Sequence, residues 1–158
     1  MTEPTTIHNT FVIERRYPKP AARVFQAFAS PEEKKRWFAN ARGQADATFQ
    51  MDFRAGGQEA MSYKMGPETP FPGTEIANSS VYLDIVENRR VVLSQAMTLG
   101  GRRISAALIT VEFLDLGPSE AALIVTHQAA FFEGADGPKM REAGWNTLID
   151  RMGQTLAD

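Results

Sequence analysis

The sequence predicts an α+β fold in which a curved antiparallel sheet of about six to seven strands wraps around one long C-terminal helix, in the order β-α-α-β6-α. Three observations predict it. From Gly43 onward, apolar residues recur at every second position in segments separated by short turns, which is typical of antiparallel strands with one buried face. A strand and two short helical segments precede this region, and a long amphipathic segment follows it.

The N-terminal elements are predicted to be one strand and two helices. Residues 11–17 are rich in strand-forming side chains. A first helix begins at Pro20, which suits a first helical position. A second begins after Ser30, which can cap it together with Glu33 in a capping box, and it ends near Trp37. The first helix has apolar residues at i, i+3, i+4 and i+7, namely Ala21, Val24, Phe25 and Phe28.

The middle of the chain alternates with a period of two. Gly56-Gly57 and Gly100-Gly101 are placed to form hairpin turns, and strands joined in this way form antiparallel neighbours. Residues 66–80 are predicted to form one long loop, a feature that is often functional in compact domains. The predicted strands contain residues 49–53, 61–65, 81–85, 91–99, 109–113 and 121–132.

The last helix is predicted to open at residues 134–138, where Asp136 or Gly137 can cap it and Pro138 suits the first turn. Gly144 lies inside this helix, where it costs about 1 kcal/mol relative to Ala. It could allow close approach of a strand or leave space beside Trp145. One apolar stripe runs along the helix through Trp145, Leu148, Ile149, Met152 and Leu156.

Composition excludes several function classes. The chain has no cysteine, which excludes disulfides, a thiol nucleophile and thiolate metal sites. The formal net charge of −2 provides no general attraction to nucleic acid or anionic membranes. The 43% hydrophobic content argues against disorder.

The length of 158 residues fits one domain. We expect a flexible arm over residues 1–9 and a single domain over residues 10–158. No secretory signal and no apolar run of the ~20 residues needed to span a bilayer is visible, so a cytoplasmic protein without membrane insertion is the expectation.

Several segments resemble START-like (SRPBCC) domains. Residues 11–28, FVIERRYPKPAARVFQAF, resemble the opening of such domains, and residues 30–38, SPEEKKRWF, resemble the branch named after an activator of the heat-shock-protein-ninety ATPase, the AHSA-type branch. DFRAGG at 52–57, TVEF at 110–113 and Gly144-Trp145 resemble the same branch. The resemblance covers about residues 9–157.

The resemblance implies a helix-grip fold with a cavity for an apolar or amphipathic small molecule between the sheet and the last helix. It does not imply a shared reaction, because such proteins include binders, cyclases, hydrolases and co-chaperones. We expect no additional domain like the one that precedes this fold in the eukaryotic co-chaperone, and this expectation weakens the chaperone interpretation.

Methionines and aromatics at predicted inward positions are the candidate cavity lining, since adaptable apolar side chains with a few polar groups typify ligand pockets. Tyr63 and Gln95 could supply polar contacts, and ordinary core packing is the alternative explanation for most of the set. The candidate ligand-binding residues are Trp37, Phe49, Met51, Phe53, Met61, Tyr63, Gln95, Met97, His127, Trp145 and Ile149.

His127 is the candidate catalytic residue, because histidine is the usual general base near neutral pH. A hydrogen-bonded strand histidine is the structural alternative. No metal-ligand spacing is present, and we expect no metal or cofactor. Asp52, Glu59 and Asp84 alternate with apolar strand residues, so we expect these carboxylates to face solvent.

Three functions follow as hypotheses. The favoured one is binding of a hydrophobic or amphipathic small molecule without catalysis. An enzyme of the same fold would use His127 as acid or base, with Tyr63 or Gln95 polarising a carbonyl. A protein-interaction module would contact a chaperone. A second copy of this chain, forming a homodimer, is a further candidate partner. Nucleic acid is not expected as a partner.

Overall fold

A computed structural model describes residues 5–39 and 47–157. Its strands are β1 (Ile7–Tyr17), β2 (Thr48–Met51), β3 (Gln58–Lys64), β4 (Glu75–Val86), β5 (Arg90–Leu99), β6 (Arg102–Gly117) and β7 (Glu120–Phe131). They form one curved, open, antiparallel sheet in the order β1-β7-β6-β5-β4-β3-β2. Consecutive strands from β2 to β7 are neighbours, and β1 pairs with β7 along its whole length.

The helices are α1 (Ala21–Ala29), α2 (Pro31–Lys34) and α3 (Pro138–Leu156). Ser30 caps α2, because its Oγ accepts a hydrogen bond of 3.3 Å from the backbone N–H of Glu33. The chain then continues as one π-helical turn over Lys35–Ala39. At the start of α3 the N-cap is Gly137, whose φ of 89° suits a residue without a Cβ.

The core lies between the inner face of the sheet and the helices. Phe25 and Phe28 of α1 pack edge-on against Phe113 of β6 at centroid distances of 5.2 and 5.3 Å. The apolar stripe of α3 is buried at Trp145, Ile149, Met152 and Leu156, and Leu148 packs against the same core. The predicted α+β helix-grip architecture is therefore confirmed.

Two predicted boundaries differ from the structure. β1 begins at Ile7, so residues 7–9 of the predicted flexible arm belong to the sheet and pair with the end of β7. β4 begins at Glu75, so residues 75–80 of the predicted loop over residues 66–80 belong to a strand. The inward positions of β4 are partly polar, and this hides the alternation that identifies a strand.

The inner face of β4 also differs from the apolar positions of the sequence. Ile76, Asn78, Ser80 and Tyr82 are buried, whereas Leu83 is 53% exposed. A bulge between Tyr82 and Asp84 shifts the pairing with β5. The buried face of β4 is therefore the more polar one.

Candidate functional site

A cavity of about 380 Å³ lies between the inner face of the sheet and α3. This volume is within the range of about 300–1,000 Å³ typical of small-molecule sites. Its walls come from β3, β4, β5, the start of β6 and the first half of α3, with contributions from the π-helical turn, the β3–β4 loop and the β7–α3 turn.

The floor of the cavity follows the register of the sheet. Met61, Asn78, Met97 and Ser105 are directly opposite one another across β3, β4, β5 and β6, and the first three of them line the cavity. Residues opposite each other in an antiparallel pair point to the same face. The hydrogen-bonding pattern of the sheet therefore brings these side chains together.

The roof of the cavity is one face of α3. Met140, Arg141, Gly144, Trp145 and Leu148 all line it, and their spacing is that of residues on one side of a helix. Apart from its two chain neighbours and the nearby backbone of α3 itself, no described residue has a heavy atom within 4 Å of the position that a Cβ on Gly144 would occupy. The sequence left two roles open for Gly144, close approach of a strand and space beside Trp145. The structure shows the second, because open space lies beside Gly144 at the cavity.

The mouth of the cavity has exposed apolar side chains. Phe71 of the β3–β4 loop is 53% exposed and Met140 of α3 is 67% exposed, although both line the cavity. The cavity therefore opens to solvent between this loop and the start of α3.

The structure brings some of the predicted ligand-binding residues to the cavity. Met61, Tyr63, Gln95, Met97 and Trp145 line it. They come from β3, β5 and α3, so the alternation of the strands and the stripe of the helix were sufficient to place them on its walls.

The other predicted ligand-binding residues lie in the surrounding core, outside the lining. Trp37 is 1% exposed and its Nε1 donates to the carbonyl oxygen of Ala27 at 2.9 Å. Phe53 packs edge-on against Tyr82 at 5.2 Å. Phe49 and Met51 are partly buried against the core, and Ile149 is fully buried.

His127 is fully buried and does not line the cavity. Its ring stacks on Phe11 with the centroids 4.6 Å apart, and neither ring nitrogen has a hydrogen-bond partner among the described residues. Burial, with the positive charge of Arg141 as a second cause, lowers the pKa of His127 to about 4. The ring is therefore neutral at neutral pH and lies 6.2 Å from the ring of Trp145, which does line the cavity.

A buried polar cluster beside the cavity was not predicted. Lys34 of α2 and Tyr82 of β4 each donate to Oε1 of Glu59 at 2.5 Å. Lys34 is 5% exposed and Glu59 is 2% exposed, so the expectation that Glu59 faces solvent is wrong. Burial, with the charge of Glu59 as a second cause, raises the pKa of Tyr82 well above its usual range.

The sequence did contain a signal for this cluster. Glu59 has the same strand parity as Met61 and Tyr63, which were placed inward. Lys34 precedes Trp37 and Phe38 by three and four positions, so it shares their helical face. The period of the strand predicts an inward Glu59, whereas the general rule for strand carboxylates predicts an outward one. The general rule fails here because the cation that pairs with Glu59 lies on a distant element.

A second polar group at the cavity wall is an ion pair. Nε and Nη2 of Arg141 each lie 2.8 Å from a different carboxylate oxygen of Asp136. Nη2 also donates to Ser105 Oγ at 3.0 Å, and the guanidinium lies 5.0 Å from the ring centroid of Phe131. The Asp136 side chain accepts from Arg141 and makes no capping bond at the start of α3. The helical spacing from Arg141 to Trp145 was the signal for its inward position.

Two further findings concern ions and membranes. Within residues 5–39 and 47–157, no three histidine or acidic side chains gather into a set that could hold a metal ion. Over the same ranges, none of the helices combines the length and apolarity that crossing a bilayer requires.

Comparison with known proteins assigns the chain to a family. Residues 18–157 match the family model described as "Activator of Hsp90 ATPase homolog 1-like protein". The chain belongs to this family. The AHSA-type resemblance of its sequence motifs is thereby confirmed. None of the curated proteins matches the chain.

Solved structures similar to this AHSA1-like chain cover nearly its whole length. An uncharacterised protein from Rhizobium leguminosarum is 34% identical, with 96% of each chain covered and a TM-score of 0.88. The Mll3558 protein from Rhizobium loti is 38% identical, with 96% of this chain and 99% of that chain covered and a TM-score of 0.83. CV1439 from Chromobacterium violaceum, at 19% identity and a TM-score of 0.71 over 95% and 99% of the two chains, shares the fold.

Proposed function

We propose that this AHSA1-like protein binds a small molecule with an apolar body in the cavity between the sheet and α3. The observation that carries the proposal is the cavity itself, at about 380 Å³ and open at one end. The SRPBCC fold often binds ligands, which agrees with this use of the space.

The chemistry of the walls supports an apolar ligand body. Met61, Met65, Met97, Leu99 and Leu148 all line the cavity. Methionine side chains are flexible and polarisable, so they adapt to apolar partners of different shape. A ligand that displaced water from these walls would be stabilised by the apolar area that it buries.

Native mass spectrometry of the gently purified protein is the direct test, because a retained small molecule appears as an added mass. A fluorescence titration with Nile red, an uncharged apolar dye, gives the affinity of the cavity even while the natural ligand is unidentified. We expect saturable dye binding with one site per chain.

Met97→Arg tests the location of the site. Met97 is half-buried and lines the cavity, so an arginine there would place a charged group in the cavity or expel the ligand, and dye affinity should fall at least tenfold. Leu83→Arg is the matched control, because Leu83 is 53% exposed on the neighbouring strand. Loss of dye binding in both variants, or in neither, would contradict the assignment of the site.

The two alternative functions, catalysis by His127 and binding to a chaperone, stay predictions. A catalytic role for His127 requires ligand contact, and the ring lies in the core behind Trp145, outside the lining. For a chaperone-binding module, the exposed apolar side chains Phe71 and Met140 are already accounted for by the mouth of the cavity. We therefore favour ligand binding over both.

A further inference from the structure

We propose that the ligand is uncharged and that its polar end is a hydroxyl, carbonyl or amide group held by Asn78 and Gln95. This inference rests on the proposed function, because it names the chemistry of a ligand for the same cavity. Three features of the cavity carry it: two buried amides, the pairing of every charged side chain in its described lining, and an unused guanidinium nitrogen.

The two amides lie together on the floor of the cavity. Asn78 is 6% exposed and Gln95 is 4% exposed, and both line the cavity. Asn78 is opposite Met97, which is two residues from Gln95 on the same face of β5. The two side chains are therefore diagonal neighbours, within reach of one polar group on a ligand.

Both amides retain hydrogen-bonding capacity. Oδ1 of Asn78 is buried and has no partner among the described residues. The hydrogen bond from Nε2 of Gln95 to Ser80 Oγ is long, at 3.4 Å. A buried polar atom without a partner is unfavourable, and half a turn of an amide exchanges its donor and its acceptor. The pair can thus both donate to and accept from a neutral polar group.

The charged side chains are already neutralised. Arg141 and Asp136 are the charged residues of the described lining, and two bonds of 2.8 Å join them. Beside the cavity, Lys34 is paired with Glu59 at 2.5 Å. A ligand carboxylate would meet no uncompensated cation, and a ligand ammonium would meet no uncompensated anion.

The unused nitrogen of Arg141 fits the same interpretation. Nη1 is buried and has no partner among the described residues, so an acceptor oxygen reaches it only when the guanidinium shifts toward the cavity. Asp136 already compensates the positive charge, so a carboxylate gains little beyond what a carbonyl gains there. The carboxylate also has to lose far more hydration on leaving water. The balance favours an uncharged acceptor.

A series of eight-carbon probes tests the inference on the unmodified protein. Displacement of Nile red is measured at pH 8 with 1-octanol, 2-octanone, octanoate and octylammonium, which share an apolar body and differ in the charge of the polar end. We expect the alcohol and the ketone to bind at least tenfold more tightly than both ions.

The outcomes separate this inference from the proposed function. If Nile red binds and either ion competes as well as the alcohol, the inference is wrong and the cavity remains a ligand site. The same holds if the dye binds and no probe displaces it. If neither the dye nor any probe binds, both the proposed function and this inference fail.

A variant locates the polar contact. Asn78→Leu keeps the approximate volume and removes the amide, so 1-octanol and 2-octanone should each bind at least fivefold more weakly, with the displacement constants calculated from the Nile red affinity measured on the same variant. Ser79→Ala is the control, because Ser79 is the next residue of β4 and is exposed on the outer face. Unchanged octanol affinity in a folded Asn78→Leu protein would overturn the role of Asn78, and the probe series on the unmodified chain does not depend on this variant.

Discussion

His127 contributes a pH-dependent part of the stability. Its pKa falls from the ordinary 6.5 to about 4 in the folded protein, because burial disfavours the charged ring. The unfolded chain therefore binds the proton more readily, and this part of the stability is present above pH 6.5 and is lost as the pH falls toward 4.

We expect the free energy of unfolding to be about 2 kcal/mol lower at pH 5 than at pH 7.5 through this residue alone. His127→Phe keeps an aromatic ring against Phe11 and removes the titrating group, so this part of the dependence should vanish. Urea unfolding at the two pH values measures it. His8→Gln is the control, since His8 is exposed on β1, and a variant of His127 with the full original pH dependence would contradict the assignment.

The pair of Lys34 and Glu59 is a buried charge pair whose partners depend on each other. Their side chains are 6% and 1% exposed. Removing one partner of such a pair leaves an uncompensated buried charge, which typically costs about 3–5 kcal/mol.

Glu59→Gln should therefore lower the free energy of unfolding by about 3 kcal/mol or more, as measured by urea unfolding. The ion pair of Arg54 with Asp52 has side chains that are 69% and 55% exposed, so Arg54→Ala should cost less than about 1 kcal/mol. Equal effects in the two variants would show that Glu59 is not held as the structure indicates.

At the scale of elements, α3 has two structural roles. Its apolar stripe secures it to the core, while the turn around Gly144 forms the roof of the cavity. A glycine in a helix interior is about 1 kcal/mol less favourable than alanine, and here its missing side chain leaves space.

Substitution of Gly144 should separate stability from binding. Gly144→Leu should raise the melting temperature, because leucine is a good helix former, and should weaken Nile red binding at least fivefold by filling the roof. Ala143→Leu is the matched control, since Ala143 is exposed on the same turn. A more stable Gly144→Leu protein with undiminished dye affinity would show that this face of α3 does not contact the ligand.

The elements of the fold were largely predictable, because most strands alternate and α1 and α3 have clear apolar faces. The start of β4 was not, since Asn78 and Ser80 occupy inward positions of a strand whose outer face carries Leu83. Apolar periodicity identifies a buried face that is apolar, and it is misleading where the buried face carries polar residues.

The cavity was only partly predictable, for a different reason. Met61, Met97 and Trp145 could be placed inward from local patterns. Whether an inward side chain packs solidly, as Ile149 does, or borders a void depends on distances between elements that no local pattern contains. The same holds for Lys34 with Glu59, which come together only in the folded chain.

At the scale of the whole molecule, the family assignment and the sheet order describe a scaffold that encloses space between a sheet and a helix. Strands β2 to β7 follow one another along the sheet, so each forms beside its predecessor. The open sheet has β1 at one edge and β2 at the other.

The pairing of β1 with β7 has a consequence for how the protein forms. Ile7 is opposite Phe131 and Tyr17 is opposite Ala121, so β1 joins the sheet only after β7 has been synthesised. Contacts between residues so far apart in sequence are slow to form, because a long loop must close first. α3, which roofs the cavity, follows even later in the chain. The cavity is therefore unfinished until α3 has been synthesised, and the proposed ligand would bind only after that point.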